Sequence, residues 1–152
     1  EGGMIPVSSI PYFDLVNVMS YDAIGPSWGE PGGEHSSYAM AERDLDLWLA
    51  RGVARERLIL GVPFYGYGFG GAKANWSYRE LAAAHGINAT KADVIGDRCA
   101  DCRYITHNSP ATIEKKAQLA AEKAGGVMVW ELSQDSPDHR LTKAIGRGLT
   151  RE

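Results

Sequence analysis

Three apolar runs in this chain each break off into aromatic and acidic residues. Leu15–Met19 precedes Tyr21-Asp22, Leu58–Val62 precedes Phe64-Tyr65-Gly66-Tyr67, and Val127–Val129 precedes Trp130-Glu131. Aromatic faces stack on the apolar face of a pyranose ring, and tyrosine hydroxyls and carboxylates bond its hydroxyl and amide groups. A single aromatic at a strand end is ordinarily core or rim packing. Several from successive strands, mixed with carboxylates, share one rim if the strands are parallel. The residue types alone therefore predict a carbohydrate or small-molecule cleft.

The elements that must position these residues follow from periodicity and punctuation. Asp14 to Ser20 is apolar on nearly every position, as in a strand covered on both faces. Ala23 to His35, rich in glycine and proline around Trp28, reads as a loop. Tyr38, Ala41, Leu45 and Trp48-Leu49 have helical spacing, and Gly52 suits a left-handed cap. Leu58 to Tyr65 is the second strand, and Gly66 to Asn75 reads as a glycine-rich loop. Ser77-Tyr78-Arg79-Glu80 is a capping box for a short alanine-rich helix that Gly86 ends. The mixed stretch from Ile87 to Asn108 predicts loops and a small hairpin. Ser109-Pro110 starts a helix that buries Ile113, Ala117, Ala120 and Ala124. The third strand follows at once, and Ser136-Pro137 repeats the cap-and-proline start for a last helix around Leu141 and Ile145. Strands alternating with helices predict a parallel sheet with helical crossovers. The connection from Tyr65 to Val127 is long for one crossover and predicts an inserted subdomain.

With 152 residues, 44% of them apolar, the chain can bury a core of ordinary domain size. The net charge of −3 is spread among interspersed signs, so neither nucleic acid nor a membrane is an expected partner. No apolar run is long enough to span a bilayer. The chain opens Glu1-Gly2-Gly3 without a charged-then-apolar leader; a removed signal peptide or a start further upstream both fit.

Other motifs carry less. Gly66-Tyr67-Gly68-Phe69-Gly70-Gly71 matches the dinucleotide fingerprint, but the helix that should receive a pyrophosphate waits until Ser77. Glu42, Asp44 and Asp46 fall off the apolar stripe of their helix and read as a solvated face. His35, in the Trp28 loop, reads as a solvated histidine, and His85 ends a helix, where a cation suits the dipole. Cys99 and Cys102 lack the ligands for zinc, with only His107 near, and lack the strand-to-helix setting of a redox pair. They read as a small loop disulfide or two plain thiols. No metal and no cofactor is expected.

The same words resemble the later strands of family 18 glycoside hydrolases, the chitinases and their relatives. Phe13 to Asp22, with Met19-Ser20-Tyr21-Asp22, resembles the sixth barrel strand and its M-x-Y-D signature. Leu60 to Gly66 resembles the seventh strand, and Gly125 to Asp135 the eighth with its terminal Trp130. The resemblance runs from about Ile10 to the end. It implies an α/β fold: the C-terminal portion, sixth to eighth strands, of a TIM (β/α)8 barrel, with a reduced α+β insertion. Residues 1–152 would be a partial catalytic barrel, and 67–109 the insertion between its last two strands.

It also implies a retaining mechanism in which the substrate's N-acetyl oxygen is the nucleophile. Tyr21 would be catalytic, donating a hydrogen bond to that carbonyl. Met19, Asp22, Trp28, Tyr65, Tyr67, Trp130 and Glu131 would bind substrate. Met19 would lie in the pocket floor, Trp28 would support sugars on the leaving-group side, and Trp130 would stack under the sugar at the cleavage site. Tyr67 stands where many members carry arginine. The family's D-x-x-D-x-D-x-E, whose glutamate is the general acid, has no counterpart here. The resemblance therefore implies a secreted chitinase-like glycosidase acting on N-acetylglucosamine oligosaccharides, with this fragment inactive alone and prone to self-association. A chitin-binding, lectin-like relative and a peptidoglycan or N-glycan hydrolase of the same fold are the alternatives.

Overall fold

Leu58, Leu60 and Val62 point to one side of their strand and are fully buried. Each such side chain contributes about 1.5–3 kcal/mol on leaving water. They form the floor on which the helices pack. The computed structural model describes residues 2–150. Its elements in chain order are β1 (Val16–Met19), α1 (Tyr38–Ala50), β2 (Leu58–Pro63), β3 (Tyr65–Phe69) and β4 (Asn75–Ser77). They continue with α2 (Tyr78–Ala89), β5 (Val94–Gly96), β6 (Tyr104–Thr106), α3 (Pro110–Lys123), β7 (Gly126–Trp130) and α4 (Arg140–Leu149).

Strands β1, β2 and β7 form one parallel sheet with β2 in the middle, as the alternation of strands and helices predicts. The register aligns Met19 with Gly61 and Gly61 with Met128, and Pro63 with Trp130. Side chains alternate across the sheet. Val18, Leu60 and Val62 face the helices, where Ala41, Leu45, Ile113, Ala120 and Leu141 complete the core. Met19 and Trp130 stay exposed at 64% and 56%.

Local signals placed the helices where expected. The Ser37 side chain caps α1 by accepting from the Met40 amide, and Gly52 follows that helix with φ of 90°. Ser77 and Glu80 exchange the reciprocal bonds of a capping box. Gly86 breaks the regular course of α2 with φ of 76°. Ser109 caps α3 with Pro110 in its first turn.

Two expectations are corrected. The stretch from Gly66 to Asn75 is not all loop: Tyr65–Phe69 is a strand at the heart of a second, antiparallel sheet of order β4-β3-β6-β5. Its glycines serve close packing, because a Cβ on Gly66 would collide with the Thr106 carbonyl and one on Gly68 with that of Lys73. The last helix starts at Arg140, not after Ser136-Pro137. Its free amides are taken by buried Asp135, whose carboxylate accepts from Leu141 N, Thr142 N and Thr142 Oγ1. The Ser136 hydroxyl accepts from Arg140 N, and its carbonyl from His139 N.

Candidate functional site

The ends of β1 and β2 and the whole of β3 bring the aromatic and acidic residues together. Asp22 has φ of 65°, an uncommon left-handed conformation for a non-glycine residue. In this turn its carboxylate Oδ1 accepts from the Tyr65 hydroxyl at 2.6 Å and the Tyr67 hydroxyl at 3.0 Å. Tyr65 and Tyr67 share a face of β3 because they are two residues apart. Their rings meet edge-on at 5.5 Å.

His35 is the third neighbour, and the solvated role expected for it is overturned. It is completely buried, with its ring 5.2 Å from Tyr65, 5.1 Å from Tyr67 and Nδ1 3.8 Å from Asp22 Oδ1. That last distance is too long for a hydrogen bond, so the contact is electrostatic. Burial holds the His35 pKa below its ordinary value, against the raising effect of Asp22. Burial alone would raise the Asp22 carboxyl. The His35 ring and the two tyrosine hydroxyls outweigh it and keep Asp22 below the usual carboxylate range. Desolvation, then Asp22, raises the Tyr65 hydroxyl far above its ordinary value and pushes Tyr67 up to about 12. Both therefore stay protonated donors.

Two cavities flank this cluster and share Asp22. The first, of about 500 Å³, is lined by Tyr65, Tyr67, Trp130, Trp76, Lys73 and Glu80, among others. The second, of about 560 Å³, includes Met19, Tyr21, Trp28, Met40, Asp44 and Trp48. Tyr21 meets Tyr65 edge-on at 6.0 Å, and its buried hydroxyl has no hydrogen-bond partner among the described residues. Burial and the Asp22 charge raise its pKa, so it too is a donor. Trp28, 43% exposed, sends its indole N–H to the Asp22 carbonyl at 3.0 Å and meets Tyr67 edge-on.

The chain as a whole is similar to proteins of one known family. The model for glycosyl hydrolases family 18 matches residues 6–135. This chain belongs to family 18. Chitinase 63 of Streptomyces plicatus is 27% identical, over 98% of this chain and 30% of its own length. Nod factor hydrolase protein 1 of Medicago truncatula is 28% identical, over 95% of this chain and 45% of its own. Among solved structures, the GH18 chitinase ChiB from the chitin utilization locus of Flavobacterium johnsoniae superposes with a TM-score of 0.82 at 33% identity, covering 96% of this chain and 45% of that one. The chain spans less than half the length of each of these relatives. The α/β fold is common to the chain and that chitinase structure.

Within the family 18 chain, the expected residues do not all meet. Asp22, Tyr65, Tyr67 and Trp130 line one cavity; Met19, Tyr21 and Trp28 line the other beside Asp22. Glu131 lines neither and accepts from the Ser133 hydroxyl. Sequence reasoning missed Trp76, whose indole has Lys73 Nζ 4.9 Å from its centroid and the His85 ring 5.3 Å away. Trp76 is thus part of the wall of the first cavity. The signal for it was the Tyr-Gly-Tyr-Gly-Phe alternation, which as a strand requires a partner opposite. Asp44, expected on a solvated face, is half-buried and accepts from Ser20 Oγ at 3.0 Å; Glu42 and Asp46 do face solvent beside Lys123.

The loop carrying Trp28 is anchored from the second sheet. Tyr104 Oη accepts from Gly32 N at 2.7 Å, Thr106 Oγ1 accepts from His35 N at 3.4 Å, and Arg98 pairs with Glu34 at 2.7 Å. Between β5 and β6, Cys99 and Cys102 form a disulfide, the first of the two states left open by the sequence.

Proposed function

We propose that this chain supplies the sixth to eighth strands of a (β/α)8 barrel, residues 67–109 being an insertion, in a glycosidase that hydrolyses β-1,4-linked N-acetylglucosamine in chitin or a related glycan. The observation that carries the reading is the Asp22 rim, fixed by Tyr65 and Tyr67 beside Trp28 and Trp130, in a chain of family 18. The outer strands β1 and β7 each have one unpaired edge in the three-stranded sheet. That supports a place within a larger closed sheet.

The reaction is substrate-assisted and retaining. The N-acetyl carbonyl oxygen of the substrate attacks C1, the C1–O glycosidic bond breaks, and the departing oxygen takes a proton from an acid outside these residues. Water then adds to C1 and opens the oxazolinium, its proton returning to that same acid. Tyr21 donates a hydrogen bond to the N-acetyl group, a role supported by its protonated hydroxyl, which has no partner among the described residues. Asp22 offers its second carboxylate oxygen to sugar hydroxyls, Met19 lies in the floor, and Trp28 and Trp130 stack on successive sugars. Secretion belongs to the proposal, and the Cys99–Cys102 disulfide supports an oxidising compartment.

A chromogenic chitobioside tests the reading. The whole protein is expected to release the chromophore and residues 1–152 alone are not. Turnover by residues 1–152 alone would overturn the placement of the acid. Chitotriose binding by a whole protein without turnover would instead identify a lectin-like relative. Residues 1–152 alone are expected to associate through the open sheet edges, which sedimentation reads directly.

A further inference from the structure

Lys116 lies on α3 and is completely buried. It lines neither cavity of the site. Its ammonium donates to the Ser36 carbonyl at 2.9 Å, Ser36 Oγ at 2.7 Å and Asn108 Oδ1 at 2.8 Å. Ser36 Oγ in turn donates to the Ser20 carbonyl at 2.6 Å, and Asn108 Nδ2 donates to the Ser36 carbonyl at 2.7 Å. The three partners of Lys116 are acceptors towards it, since the Ser36 proton is committed to Ser20. An ammonium matches them one to one, whereas a neutral amine would turn its lone pair on an oxygen. Burial opposes this and pulls the Lys116 pKa down to about 7.

These bonds grip both ends of the segment that forms the rim. Ser20 immediately precedes Tyr21 and Asp22. Ser36 immediately follows His35, whose ring sits against Tyr65 and Tyr67 and whose carbonyl accepts from Ala23 N at 2.9 Å. Between the grips, Asp22 holds a left-handed backbone that costs a non-glycine residue about 1–3 kcal/mol unless its surroundings enforce it. We propose that Lys116 is a positioning residue of the sugar site: by fixing Ser36, whose hydroxyl bonds the Ser20 carbonyl, it holds the Tyr21-Asp22 turn and His35 in register with the β3 tyrosines. This rests on the reading of that rim as a sugar site. Removing the ammonium leaves Ser36 Oγ and Asn108 Oδ1 short of a buried donor and the Ser36 carbonyl with Asn108 Nδ2 alone, so Ser36 loses the group that fixes it where it meets Ser20.

The test uses the whole protein labelled with 5-fluorotryptophan, the Trp28 fluorine resonance being assigned with Trp28→Phe. Because the Trp28 indole bonds the Asp22 carbonyl, that resonance reports the turn. Lys116→Met is compared with Leu141→Ala, a core truncation that lowers Tm without touching the clamp. Lys116→Met is expected to shift the Trp28 resonance and to weaken chitotriose binding at least tenfold, while Leu141→Ala changes neither. If Lys116→Met does not fold, Ser36→Ala carries the same two readouts, since it cuts the link to Ser20 and keeps the Ser36 carbonyl. Clamp variants that lower Tm yet leave resonance and affinity as in Leu141→Ala overturn the proposal. A wild-type protein that does not bind chitotriose rejects the sugar-site reading instead, and the Trp28 resonance then decides the role of Lys116 by itself.

Discussion

The six-membered ring of Trp28 rests on Gly25: a Cβ at that position would lie inside the van der Waals shell of the indole. The two residues also exchange backbone hydrogen bonds, from Gly25 N at 2.9 Å and from Trp28 N at 3.3 Å. One face of the indole is thus seated on backbone. Gly25→Ala is expected to lift the ring, costing about 1–3 kcal/mol of stability as overpacking does and weakening chitotriose binding roughly tenfold. Titration calorimetry checks the affinity; binding at wild-type strength would show that Trp28 is not a platform.

Tyr21→Phe removes a hydroxyl that has no hydrogen-bond partner among the described residues, so stability should hardly move. If the hydroxyl serves the N-acetyl group, kcat of the whole protein falls by about 10²–10³, the usual effect of one donor at a developing charge. Steady-state kinetics on a chitobioside decide it, and a variant within twofold of wild type would remove Tyr21 from the mechanism.

Tyr65→Phe deletes the 2.6 Å bond to Asp22. A carboxyl whose folded pKa is depressed adds stability above its unfolded pKa and loses it as pH falls through the folded one. Without Tyr65 the Asp22 pKa moves back up, so the acid limb of sugar binding shifts to higher pH. Partial exposure of Asp22 limits the cost at neutral pH to about 1 kcal/mol. An Asp22 carboxyl titration followed by NMR should show the rise.

His107 is buried against Tyr78, and burial lowers its pKa to about 4. The unfolded chain takes up this proton near 6.5, so between those values it binds more protons than the folded chain. Stability therefore falls as pH drops from about 6.5 to 4, by about 3 kcal/mol in total. His35, lowered in the same direction, adds to it. His107→Leu should flatten the dependence of Tm on pH across that window; an unchanged slope would assign the loss to other groups.

Asp135→Ala strips three donors at the start of α4, besides the Ser136 amide, of a buried acceptor. A loss of about 3 kcal/mol is expected in denaturant unfolding, more than for a single exposed cap because several buried amides lose their partner together.

What the sequence showed, and what it hid, divides along range of interaction. Ser77 with Glu80 and Ser109 with Pro110 are local devices, and both helices begin where they predict. The parallel strands were legible because Val18, Leu60 and Val62 belong to nearly continuous apolar runs, although β1 is covered on one face only, with Asn17 and Met19 exposed on the other. Strand β3 was hidden because Gly66 and Gly68 look like loop residues until the backbones of Thr106 and Lys73 lie against them. His35 was hidden for the same reason, since its burial is decided by two tyrosines some thirty residues later. The start of α4 was misplaced because its cap, Asp135, sits outside the usual position. Among site residues, Asp22, Tyr65, Tyr67 and Trp130 converge as their strand-end positions imply, whereas Trp76 enters through its pairing with β3, of which the Tyr-Gly-Tyr-Gly-Phe alternation is the only sign and does not say which stretch lies opposite.

The bonds from Tyr104, Thr106 and Arg98 to the loop of Trp28 also bear on how such proteins diversify. A graft that exchanged residues 94–106 for those of a relative would take away the mooring of a loop seventy residues earlier. The two stretches are tied together as one structural unit, and a chimera that moves residues 22–36 together with 94–106 should keep a loop conformation that either transplant alone would lose.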